Sequence, residues 1–408
     1  MIASAWIWVA LATVQQEPVP RDGLSRLRPS AAAQQGAGTE ALPPSAERAI
    51  YPWLATDAQG RVSANWLVPG GEDGNALLWA RRLPDGSWTE AEEVARGQNW
   101  FVNWADHPVH AVDAAGRVLA TWLQKVPGST YSYHVHLRLR DAEGVWGEAH
   151  RLHEDDSPTE HGFVSIAPVA GGGFVAAWLD GRATGSKEPM QLRARRTLAD
   201  GSFGPELLVD PRVCDCCATT LVADADGSFW LAYRDRSEEE VRDLGLVRLQ
   251  LGEEGRLLHN SRDFPADAWV MPGCPVNGPA SARWQGKAAV VWFTAHPDPR
   301  IRLARGDAVS VVRSEAGVLG RVSCAVIGDQ LAVSWLETRR GRTSWWIQFF
   351  RLDEQERIRP ASTARPIAQV LGTRAEGFLR LAAAGEQALA VWTEAKPQRL
   401  RARLLQGD

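Results

Sequence analysis

Apolar residues in this chain come in short unbroken runs of five or six, each opened by a turn and closed by an aromatic. The fullest run follows Gly171, Gly172 and Gly173: it spans Phe174 to Leu179, has Trp178 as its aromatic, and stops at Asp180, Gly181 and Arg182. Near-copies carry Trp66, Trp122, Tyr233, Trp292, Trp335 and Trp392 at the same place. The aromatic returns roughly every 55 residues, with one shorter step before Trp335, and strand-built repeats longer than about 40 residues predict propeller blades. Runs this short, with β-branched and aromatic members bounded by Gly, predict strands rather than helices. They do not alternate, so both faces must be covered, as in a blade held between two neighbours.

A second apolar strand precedes each run, for example Val164–Val169 or Thr219–Ala223, and is joined to it through turns such as Asp57–Gly60, Asp113–Gly116 and Asp224–Gly227. Such turns predict antiparallel hairpins. A more polar strand follows, then turns at Pro84–Trp88, Asp141–Trp146 and Ala199–Phe203, which complete four strands. The expected architecture is therefore all-β: one propeller over 45–408, with seven four-stranded blades, or six as the alternative. The blades are expected to begin near Glu47, Phe101, Glu160, Cys214, Cys274, Arg321 and Gly377. The last blade has no clear fourth strand, and part of the N-terminal segment is expected to close the ring and protect the open edge.

Length alone would allow two or three domains, but the uninterrupted repeat argues for one. Residues 1–14 are expected to be a signal peptide, with an apolar stretch from Ile2 to Val14 and Ala10-Leu11-Ala12 placed like a cleavage site. That stretch is too short for a membrane span of about 20 residues. Residues 15–44, rich in Pro, Ala, Gln and Ser, read as a linker. The protein is accordingly expected to be periplasmic or secreted, and monomeric. A formal net charge of −4 without a basic block makes nucleic acid an unfavoured partner. Most of the nineteen Trp sit at blade positions, where core packing accounts for them better than a sugar-binding platform does.

In a propeller the first residues of each innermost strand line one mouth of the channel, and the ends of the antiparallel second strands return to it. This placement gathers Asp106, His161, Arg182, Arg234, Asn277, Arg321 and Arg380 as candidate ligand-binding residues for a small molecule or glycan. It also gathers Asp180, Asp235, Glu337 and Glu394 as candidate paired carboxylates for glycoside hydrolysis. Asp180 and Arg182 can equally be a structural turn pair. The fold brings Cys214, Cys216, Cys217 and Cys274 to this mouth as well. In an exported protein disulfides among them are the preferred reading. The rivals are a copper or zinc site completed by His161 and redox chemistry at the thiols, and no cofactor is certain. On an extended strand Cys214 and Cys216 would share a face, with Cys217 opposite. Cys324 reads as a buried inert thiol.

Five segments taken together, Val213–Cys217, Tyr233–Ser237, Gly273–Pro279, Glu160–Ser165 and Trp178–Arg182, resemble bacterial exported proteins of the sialidase or BNR-repeat superfamily. The resemblance covers most of residues 45–408 and implies a sialidase-like propeller, with Pro84–Trp88 and Ala199–Phe203 standing as degenerate Asp boxes. Sialidases hold a sialic carboxylate with three arginines and attack with a late tyrosine. Here Arg321 and Arg380 match two of the arginines, but no Phe/Tyr-Arg-x-Pro element stands near the start and no Tyr follows Tyr233. The resemblance thus implies the fold and a binding mouth, without true sialidase activity.

Overall fold

The computed structural model describes residues 42–407 apart from 254–255, 262–263 and 265. The expected signal peptide and nearly all of the expected linker lie outside the described residues. Seven antiparallel sheets follow one another along the chain, at 50–97, 110–151, 161–210, 220–261, 280–314, 318–370 and 380–406, each ordered from inner to outer strand as the chain runs. This is the seven-bladed all-β propeller that the repeat predicts; the six-bladed alternative is not what forms.

The closing aromatics occupy equivalent places. Each is the fifth or sixth residue of the second strand in its blade and is at most 5% exposed. Each also packs in a cluster shared with the preceding blade: Trp122 meets Leu67 and Leu77 of blade 1, Trp178 meets Ala111 and Leu119 of blade 2, and Tyr233 meets Val175 and Ala177 of blade 3. The series closes on itself, because Trp66 of blade 1 packs with Leu389, Val391 and Ala402 of blade 7. A buried Trp removes about 150–250 Å² from water, an upper bound of about 4–6 kcal/mol each at about 25 cal/mol per Å². The lack of alternation in the sequence thus has its cause: both faces of these strands are interfaces.

Two blades depart from four simple strands. In blade 6 the long third strand, Arg342–Leu352, pairs with two short strands, Ile358–Pro360 on one half and Arg365–Val370 on the other. Blade 7 has three strands among the described residues. Its outer side is covered by a 3-10 turn, Ala46–Arg48, and by Leu42, Ala46 and Ala49 packing with Leu400 and Ala402. Among the described residues, then, the ring is closed by packing and not by an added strand.

Candidate functional site

All seven innermost segments line one central cavity of about 150 Å³, from Trp53 of blade 1 to Arg380 of blade 7. Its most charged wall is Arg380. The guanidinium lies 4.5 Å from the centroid of Trp53 and 5.2 Å from that of Phe378, and donates to Nε2 of His107 at 2.6 Å. His107 Nδ1 faces the carbonyl of Pro108 at 3.2 Å, which leaves Nε2 as the lone-pair acceptor. Burial and the arginine hold His107 down to about 3, so it stays neutral. Burial likewise pulls Arg380 down to about 9, and its Nε has no partner. Nearby, Arg321 lies 4.6 Å from the centroid of Trp104, which stacks on Phe378 at 5.8 Å. Arg321 donates to the carbonyls of Thr373 and Gly377. Two guanidinium groups on aromatic faces thus sit at the mouth, and among the described residues their hydrogen bonds go to neutral groups, with Glu376 near Arg321.

Beside them, Tyr133 Oη is 2.7 Å from Asp106 Oδ2 and 2.7 Å from Glu160 Oε1. A phenol has one proton to donate, so both contacts are hydrogen bonds only when one carboxyl keeps its own proton. Burial supplies the reason it does: Asp106 is pushed up to about 7 and Glu160 to about 8. The trio thus favours retention of a proton between the two carboxyls and the phenol.

The inner strands do not enter the mouth as regular strands. The pairing register shifts near their start in blades 1, 3 and 6, and Tyr51, Phe163 and Arg321 there have φ of 49°, 53° and 51°. Each of these three backbone N–H groups is held by a side chain from the preceding blade or the loop leading into it: Thr393 Oγ1 for Tyr51, Asp106 Oδ1 for Phe163 and Asn277 Oδ1 for Arg321. Bulges of this kind re-aim side chains. Asp106 and Asn277, expected as ligand groups, are thereby engaged in holding the next blade.

Other expected site residues are spread among the blades and satisfied there. Asp180 is fully buried and accepts from Trp178 Nε1 at 2.8 Å and from Arg182 Nε at 2.7 Å, and Arg182 also pairs with Glu206. Glu337 repeats the pattern with Trp335, Arg313 and Arg339. Glu394 pairs with Arg399 at 2.7 Å. Arg234 is 1% exposed and donates to the carbonyls of Arg242, Asn277 and Phe293. Asp235 accepts from the Arg236 N–H, and burial holds its carboxyl above the usual range. These four carboxylates belong to four different blades, and each is engaged with partners of its own; Tyr133 instead joins the carboxyls of Asp106 and Glu160.

The cysteines meet, but not on a strand. A turn at Asp215 and Cys216 brings Cys214 and Cys217, expected on opposite faces, to 3.4 Å between sulfurs. Cys216 is bonded to Cys274 with Cα atoms 6.0 Å apart. His161 is elsewhere. Its ring stacks on His153 at 4.0 Å and 5°, its Nε2 lies 3.0 Å from Asp155 Oδ2, and its Nδ1 faces the carbonyls of Tyr133 and Thr159. The expected sulfur and imidazole metal site therefore does not fit: the disulfide removes two sulfurs, and three or four ligands are required. His134, His153 and His161 lie close together, yet in-plane lone pairs of two parallel stacked rings run side by side and do not converge on one ion. Cys324 borders the cavity, and burial pushes its thiol up to about 12.

No protein-family model matches the chain, and no curated protein does either. Solved structures do match by shape. The BP39L lectin from Burkholderia pseudomallei is 9% identical and superposes over 88% of this chain and 97% of its own, with a TM-score of 0.58. A protein of unknown function from Dyadobacter fermentans, 9% identical, matches 88% of this chain and 95% of its own at 0.49. A leech intramolecular trans-sialidase, also 9% identical, matches 88% of this chain and 68% of its own at 0.47. At such identity the likeness is one of fold.

Sequence reasoning missed Tyr133 as the partner of Asp106 and Glu160. Tyr133 starts the third strand of blade 2, and nothing in a repeat built on second strands singles it out. His107, before Pro108 in the loop that leads to the mouth, reads in sequence as a capped loop residue, and its neighbour Arg380, 273 residues away, gives it a role.

Proposed function

We propose that this chain is an exported, monomeric propeller of the sialidase kind that binds a small anionic ligand, such as an acidic sugar, at the channel mouth, without sialidase activity. The observation that carries the reading is Arg380: a guanidinium facing the cavity between two aromatic rings, hydrogen-bonded to a neutral imidazole, with no ion pair among the described residues. A half-buried cation without a counter-charge is costly, and a carboxylate arriving from solvent would relieve that cost through a charge-assisted hydrogen bond. Arg321 on Trp104 offers a second donor group. The Cys216–Cys274 disulfide suits a periplasmic or secreted location, and among the described residues no helix is long and apolar enough to cross a membrane.

Glycan hydrolysis is the second reading, favoured by the protonated carboxyl that Tyr133 shares with Asp106 and Glu160. It is the weaker of the two, because hydrolysis needs open space between two carboxyl groups and here the Tyr133 hydroxyl fills it. Calorimetric titration with N-acetylneuraminic acid, glucuronic acid and their neutral counterparts tests the binding reading. Saturable binding of acids only, lost in Arg380→Met, is the expected result; equal binding of neutral sugars would refute it. Turnover of a fluorogenic sialoside or uronide that disappears in Glu160→Gln would establish the hydrolase instead.

A further inference from the structure

We propose that the four cysteines at the mouth form a thiol–disulfide exchange centre, in which the Cys214–Cys217 dithiol reduces the Cys216–Cys274 disulfide and the freed Cys216 and Cys274 thiols then reduce disulfide-bearing partners. This does not rest on the ligand reading above. The disulfide is accessible at one end: Cys274 is exposed and Cys216 is buried. A second pair of sulfurs stands directly behind it. Cys214 Sγ lies 3.8 Å from Cys216 Sγ and 3.4 Å from Cys217 Sγ, so one buried thiol touches both a disulfide sulfur and its own potential partner. A disulfide serving only to staple two blades needs no such neighbours.

The surroundings favour Cys214 as the attacking group. A hydrogen bond from Cys217 and the nearby Arg242 guanidinium bring its thiol down to about 7 against burial, whereas burial holds Cys217 well up. The Cys217 sulfur also accepts from the Asn277 N–H at 3.3 Å. A thiol with pKa near ambient pH combines thiolate population with nucleophilicity.

The transfer balances within the protein. The Cys214 thiolate attacks Cys216 Sγ; the 214–216 bond forms as the 216–274 bond breaks, and the electron pair leaves on Cys274, which takes a proton from solvent. Cys217 then loses its proton to solvent and attacks Cys214 Sγ, so the 214–217 disulfide forms and Cys216 departs as a thiolate and is protonated. Cys216 and Cys274 are now a dithiol whose exposed member is Cys274. Cys274 attacks a partner disulfide RSSR and releases one RSH; Cys216 resolves the mixed disulfide and releases the second. Net, one dithiol and one RSSR become one disulfide and two RSH.

The test uses the full chain, equilibrated in glutathione buffers, quenched with acid and N-ethylmaleimide, and mapped by peptide mass spectrometry with Cys324 as an internal unreactive control. The expected result is that the two-electron form contains both the 216–274 and the 214–217 pairings, and that glutathione disulfide adds to Cys274. Native Cys217→Ser protein should expose Cys274 to labelling more than tenfold faster than Cys214→Ser protein does. If either variant fails to fold, the wild-type map alone decides. A map showing only 216–274, with Cys214 and Cys217 free at every poise, would overturn the proposal, as would two disulfides that resist excess glutathione.

Discussion

Arg380 and His107 stand 273 residues apart in sequence and 2.6 Å apart in the mouth. Because the imidazole is neutral, this hydrogen bond satisfies one donor of the guanidinium without neutralising it. The arrangement keeps a cation available where the channel opens.

Replacing Arg380 with Met should therefore abolish binding of acidic ligands while leaving stability unchanged or raised by about 1 kcal/mol, since an apolar side chain of similar length avoids burying a charge. Titration and thermal unfolding on the same samples check this. A loss of more than about 3 kcal/mol would make Arg380 a structural residue.

The Asp106, Tyr133 and Glu160 trio sets a pH dependence. Both carboxyls have folded-state values raised above the ordinary range, to about 7 and about 8, so between about pH 4 and pH 8 the folded chain holds protons that the unfolded chain has released. Stability from this site is fully present below about pH 4 and falls as pH rises to about 8. Denaturant titrations across that range should show the slope in the wild type and a shallower one in Glu160→Gln.

Asn277 holds the bulge that presents Arg321. Its Oδ1 accepts from the Arg321 N–H at 2.8 Å, and its Nδ2 faces the carbonyls of Pro275 and Leu319. Asn277→Ala should cost about 1–3 kcal/mol and weaken ligand binding through Arg321. Binding at full strength in this variant would show that Arg321 needs no such support.

Asp180 and Glu337 are expected to act on stability. Each closes a buried triangle with a Trp Nε1 and an Arg, so Asp180→Asn, which weakens the charge-assisted bond to Arg182 and leaves that arginine with Glu206, should lower stability by about 2 kcal/mol. Chemical denaturation measures that loss. Unchanged stability combined with lost turnover of a glycoside would return Asp180 to a catalytic role.

The repeat made the ring legible. A strand covered on both faces must be apolar throughout, and a turn must separate it from the next, so the period of Trp66, Trp122, Trp178 and their successors carries blade number, strand polarity and inter-blade packing in local chemistry alone. Sequence also brought Cys216 toward Cys274, because equivalent positions in adjacent blades are neighbours by rotation. What only the tertiary structure decided is where side chains aim at the mouth. There the chain enters through turns and bulges rather than regular strands, so period-two facing no longer applies, and Cys214 meets Cys217 across a turn. Charge partnership was equally non-local: Arg182, Arg234 and Arg380 look alike in sequence, yet the first finds two carboxylates, the second three backbone carbonyls and the third a neutral imidazole. A residue's availability depends on which groups the fold has already given it, and for Arg380 that group comes from a segment 273 residues away in the chain.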